Sequence, residues 1–137
     1  MLVFLLTVAR MFLDNASQDT TLTVDVQNIG RSEGTVFVAV YRPCDGFPIK
    51  CKPLDGQSKP AQSGTMRFTF SVAPGTYAVA LYRDVNRNGK MDKGLFGIPK
   101  EPYGFSNNFR PKLTAPKFSD CQFEVKSEGK RVEIRVE

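Results

Sequence analysis

Residues 65–84 read TMRFTFSVAPGTYAVALYRD. Met66, Phe68, Phe70 and Val72 alternate with polar residues, so one face of the segment is apolar and the other faces water. That period of two marks a half-buried β-strand. Pro74 and Gly75 form a tight turn, because proline presets φ and glycine tolerates positive φ. Tyr77, Val79 and Leu81 then resume the alternation. The two runs are expected to pair as a hairpin.

The same period extends in both directions. Leu22, Val24 and Val26 alternate with Thr and Asp, ahead of the turn NIGRSEG. TVFVAVYR, from Thr35, is apolar on both faces, as a central strand should be. Residues 42–63, with Pro43, Pro48, Pro53 and Pro60, read as a loop. Phe118, Cys121, Phe123 and Val125 are expected to form one strand, and Val132, Ile134 and Val136 the last. No helical period is long enough to assign. The pattern predicts an all-β, antiparallel immunoglobulin-like or transthyretin-like sandwich of about seven strands, with one long irregular loop over 84–116. A chain of 137 residues suits one such domain, over 20–137, after an N-terminal extension at 1–19.

Composition narrows the chemistry. The chain has no histidine. Ser-His-Asp and Cys-His catalysis therefore lack their base, and His-ligated zinc is excluded. The net charge is +5 and unevenly placed: residues 83–117 hold eight basic and three acidic side chains. Such a patch either attracts anions or is an ordinary solvated surface.

The N-terminus, MLVFLLTVARMFLDNAS, is too short in its apolar run to span a bilayer and fits the apolar region of a secretory signal. A signal that is removed leaves no transmembrane segment in the mature chain. Export to the periplasm or outside is the expectation. Cys44 and Cys51 sit in the loop PCDGFPIKC, where an oxidising compartment would join them as a disulfide and a reducing one would leave two thiols. Cys121 is in step with Phe123 and is expected in the core.

DVNRNGKMD, residues 84–92, has the spacing D-x-N-x-N-G-x-x-D. In a tight loop, alternate residues point inward. Asp84, Asn86 and Asn88 could supply side-chain oxygens to calcium, Lys90 its carbonyl and Asp92 a carboxylate. The spacing departs from an EF-hand at its twelfth position, where Leu95 stands instead of a bidentate Glu. The alternative is an Asx-rich turn whose side chains bond neighbouring amides. Glu101 or Asp120 could complete a metal shell if the loop folds back.

In GIPKEPYGFSNNFRP, residues 97–111, Tyr103, Phe105, Asn107, Asn108 and Arg110 interleave rings, amides and a guanidinium. That mixture suits a sugar ring or a peptide. It equally suits a loop that pins itself to the sandwich and caps its own backbone. Nucleic acid is not expected, since no recognition motif accompanies the aromatics.

TVDVQNIGRSEGTVFVAVYR, APGTYAVALYRDVNRNGKMD, GLFGIPKEPYGFSNN and PKFSDCQFEV together resemble a bacterial exported family, domain of unknown function 2141. The resemblance covers roughly residues 20–137. It implies export and a transthyretin-like or immunoglobulin-like sandwich, and PGTY is similar to turns of the carboxypeptidase regulatory-like group. It brings no activity and no catalytic residues. Transthyretin-like hydrolases of the purine pathway rely on histidines, which this chain lacks. The cysteine pair departs from the usual family pattern.

The expected function is an exported, non-enzymatic binding or accessory module. Its partner would be an anionic, glycan or protein ligand at the 84–116 loop, and calcium is its one candidate cofactor. The alternatives are a purely structural envelope domain, or a glycan-acting enzyme using Asp84, Asp92 or Glu101 as acid and base.

Overall fold

The computed structural model describes residues 18–85 and 101–137. Most of the expected signal segment therefore lies outside the described residues, as do Asn86, Asn88, Lys90 and Asp92 of the candidate calcium loop. The described strands are β1 (Thr20–Ile29), β2 (Thr35–Tyr41), β3 (Asp55–Pro60), β4 (Gly64–Val72), β5 (Gly75–Asp84), β6 (Tyr103–Phe105), β7 (Phe123–Val125) and β8 (Lys130–Arg135). They form two sheets. One has the order β4-β1-β8; the other runs β3-β2-β5-β6, with β7 also paired to β5. Leu22, Val24, Val26, Phe68, Phe70 and Ile134 from the first sheet meet Val36, Val38, Val40, Val79 and Leu81 from the second in one buried core. This is the expected all-β sandwich.

Four local expectations change. Segment 65–84 is not a hairpin: β4 pairs with β1 and β5 pairs with β2, so the Pro74-Gly75 turn carries the chain from one sheet to the other. Alternation tells which face of a strand is buried but not which strand lies beside it. The Tyr77 hydroxyl donates to the Ala73 carbonyl and pins this arch, as a tyrosine corner does. Second, β3 lies inside the stretch read as a loop. Nearly all its residues are exposed, so it carries no apolar alternation to detect. Third, Phe118–Cys121 is one helical turn, α1, and only Phe123–Val125 is strand. The Asp120 carboxylate accepts from Lys117 N at 2.9 Å and caps the turn. Phe118 and Cys121 stand three apart, the spacing that shares one helical face. Fourth, β1 and β8 pair in parallel, while the other pairings of named strands are antiparallel.

The five-stranded sheet is covered on both faces, which explains the doubly apolar β2. Its outer face carries a second cluster of Tyr41, Phe47, Ala78, Tyr103, Phe105, Phe118 and Cys121. Two edges of the sandwich are also engaged. Tyr103 and Glu137 exchange two backbone hydrogen bonds of 3.0 Å, joining the end of the chain to β6. Gly104 allows this approach, since a Cβ there would stand 2.8 Å from Ile134 Cγ2 and 2.9 Å from Arg135 O. At the opposite edge, Gln57 Nε2 donates to Thr69 O (2.6 Å) and Lys59 Nζ to Arg67 O (2.7 Å). Those side chains occupy carbonyls of β4 that would otherwise invite another strand.

On the outer face of the three-stranded sheet, Asp25 is buried between two guanidinium groups. Arg67 donates to it from Nε (2.8 Å) and Nη2 (3.1 Å), and Arg131 from Nε (2.7 Å). Hydrogen bonding from Arg67 leads in holding the Asp25 carboxyl below its ordinary value, against the opposing effect of burial. One aspartate on β1 thereby ties β4 and β8 to it.

Candidate functional site

The described residues on either side of 86–100 meet at one place because β5 and β6 are antiparallel neighbours. Tyr82 stands opposite Tyr103, and Arg83 N donates to Pro102 O at 2.9 Å. One residue beyond this contact, on each arm, stands a carboxylate. Asp84 is 1% exposed and Glu101 9%. Glu101 Oε2 accepts from Val85 N at 2.7 Å, so the arms are tied at the neck. Gly34 packs against this point: a Cβ there would meet Asp84 O at 2.2 Å, and φ is +81°.

Tyr82 senses both carboxylates. Burial first, and then the charges of Asp84 and Glu101, push the Tyr82 hydroxyl above its ordinary value. Phe37 stacks on Tyr82, with centroids 5.1 Å apart and planes within 9°. Arg83 lies on the opposite face of β5 from Asp84 by strand alternation, and its Nη1 donates to Arg31 O at 3.2 Å. Hard oxygen donors drawn out of water are suited to a cation such as calcium. Among the described residues, no group of three or more Cys, Asp or Glu is placed to hold a metal. Asp120, the other residue considered for the shell, is engaged in capping α1.

The candidate ligand-binding residues turn inward. Tyr103 and Phe105 are buried in the second cluster, at 5.7 Å between centroids. Asn107 Nδ2 donates to Gln122 O at 2.9 Å, and Asn108 Oδ1 accepts from Arg135 N at 2.8 Å. Arg110 lies over the Tyr103 ring at 3.9 Å and donates from Nη1 to Tyr103 O at 2.8 Å. Asn107 and Asn108 adopt φ of 65° and 51°, a region asparagine tolerates better than most residues. Each named polar side chain thus bonds to the backbone of the fold.

Cys44 and Cys51 stand in disulfide geometry, with sulfurs 2.22 Å and Cα atoms 6.3 Å apart. Phe47, between them, plugs the loop into the second cluster. Burial pushes the Cys121 thiol up to about 12, which favours its protonated form. Ser106 is fully buried, its hydroxyl accepting from Val79 N at 2.9 Å and donating to Cys121 O. Nothing in the sequence around Ser106 signals that role. Also unmarked by any motif is a groove of about 940 Å³ between the disulfide loop and residues 114–122. It is built from two segments far apart in the chain.

No curated protein and no solved structure matches the chain. A family model described as an uncharacterized protein conserved in bacteria, DUF2141, matches residues 24–133, from within β1 to within β8. That match takes in both sheets and both arms of the neck, and the chain belongs to the DUF2141 family.

Proposed function

We propose that this chain is an exported, non-enzymatic binding or accessory module whose loop between Asp84 and Glu101 is ordered by calcium. The observation that carries the reading is the neck itself: Glu101 bonds Val85 N, one residue from the buried Asp84. A second buried carboxylate beside the first position of D-x-N-x-N-G-x-x-D offers the oxygen that Leu95 cannot. Calcium would fix the base of the basic loop, leaving that loop to meet an anionic, glycan or protein ligand. Support for a non-catalytic role comes from the absence of histidine, the burial of the Cys121 thiol and the engaged Ser106 hydroxyl. Support for export comes from the apolar N-terminus and the cysteine pair.

Calorimetric titration of the chelator-treated protein with calcium tests the metal. One site per chain is expected, abolished by Glu101→Gln and by Asp84→Asn. Equal heats in wild type and both variants would overturn it. For export, a shortened chain in the periplasmic or secreted fraction is expected; a full-length cytoplasmic chain would contradict it.

A further inference from the structure

Four large apolar side chains stand exposed among the described residues: Ile49 (52%), Leu54 (39%), Val85 (37%) and Leu113 (67%). Three of them line one groove or its adjoining hollow, or directly precede a lining residue. Ile49 lines the wall formed by the disulfide loop. Leu113 directly precedes Thr114, which lines the opposite wall. Leu54 lines an adjoining hollow that shares Pro43, Cys44, Asp45 and Lys50 with the groove.

Basic residues accompany them. Arg42, Lys50 and Lys52 accompany Asp45 on the disulfide-loop side, and Lys117 lines the other wall, with Lys112 next to Leu113. The Asp120 carboxylate nearby is engaged by Lys117 N. The surface is therefore net positive and carries projecting apolar tips. Its position is fixed from beneath: Phe47 meets Tyr41, Phe105 and Phe118 edge-on, with centroids 5.0, 6.0 and 5.7 Å away.

We propose that this end of the sandwich docks on an anionic lipid surface, Ile49 and Leu113 entering the headgroup–acyl boundary while Lys50, Lys52, Lys112 and Lys117 meet the headgroups. Ile49 is followed by Lys50, and Leu113 is preceded by Lys112. An apolar side chain beside a lysine suits an interface where one sinks and the other stays with the phosphates. Two tips on separate loops are unlike the single central hot spot, ringed by polar residues, of a protein partner. A fluid surface accommodates separated tips without matching shape. The surface is distinct from the neck at Asp84 and Glu101, and the proposal does not depend on calcium.

The test is co-sedimentation of the full chain with vesicles of equal parts phosphatidylglycerol and phosphatidylcholine, and with phosphatidylcholine alone, in a chelator. The readout is the excess of binding on the anionic vesicles, so that any contribution of the apolar N-terminus common to both is removed. The excess should fall with added salt and by roughly fivefold for each of Lys50→Gln and Lys117→Gln. Ile49→Ser with Leu113→Ser should lower it by about tenfold. Both residues are exposed, so unchanged thermal unfolding is expected and confirms that the variant folds. No anionic excess overturns the proposal. So does an excess that depends on salt but not on Ile49 and Leu113. Displacement by millimolar inorganic phosphate would overturn it as well, by making the surface a phosphate site.

Discussion

Glu101 Oε2 accepts a hydrogen bond from Val85 N at 2.7 Å, tying together two chain segments sixteen residues apart. The contact holds a second carboxylate at the root of an Asx-rich segment whose sequence alone supplies too few acidic ligands for strong calcium binding. The bond has a structural consequence in addition to its charge, and the two can be separated.

Glu101→Gln keeps an acceptor for Val85 N and removes the charge. In chelator, urea unfolding of this variant should show a smaller loss than that of Glu101→Ala. Glu101→Ala removes the acceptor too and should cost roughly 1–3 kcal/mol. Equal losses in the two variants would mean that the charge, and not the hydrogen bond, matters to the fold.

Asp25 is predicted to set the acid limb of stability. Its folded value lies below the ordinary 3.8 because Arg67, then Arg131, bond its charged form. Between the two values the unfolded chain binds a proton that the folded chain does not, so acid favours unfolding there. The contribution is fully present above about pH 4 and is lost as pH falls through the folded value. Asp25→Asn should lower stability at neutral pH by about 2 kcal/mol and flatten the acid limb. An unchanged pH profile, followed by denaturant unfolding, would contradict this.

Thiol labelling should separate the three cysteines. The native, unreduced chain should take up no alkylating reagent, because Cys121 is buried and the other two are joined. Mild reduction should expose Cys44 and Cys51, and only denaturation should expose Cys121. Replacing the pair by serine should cost roughly 2–3 kcal/mol, the effect of closing so small a loop. Labelling of Cys44 before reduction would show that the bridge is not formed.

Asn107 and Asn108 are predicted to matter to stability. Asn107→Ala loses the bond to Gln122 O and places alanine at φ of 65°, which should cost roughly 1–2 kcal/mol. Asn107→Gly should recover the backbone part of that loss. If alanine costs nothing while binding of a glycan or peptide falls, the residue serves a ligand instead.

The sandwich was legible because its core strands carry the period of two without interruption. Phe68 and Phe70 on β4, and Val79 and Leu81 on β5, could be assigned to a buried face from alternation alone. Their partners could not, since pairing depends on the other sheet, and the supposed hairpin proved to be an arch. β3 escaped notice because an exposed edge strand needs no apolar face. At the candidate site, Asp84 was legible from its motif and Glu101 was one of two possibilities. Only the antiparallel placement of β5 beside β6 distinguishes it from Asp120. The rings of Tyr103 and Phe105 were as compatible with a ligand as with a core, because sequence does not say which face of a loop a ring will find.

Thermal unfolding of the chelator-treated protein across a calcium titration tests the central claim most directly. A ligand that binds only the folded chain must raise the midpoint as its concentration increases. The account predicts a rise with calcium that magnesium does not reproduce and that Glu101→Gln abolishes. A midpoint unmoved up to millimolar calcium would contradict it, leaving DVNRNGKMD a polar turn closed by Glu101.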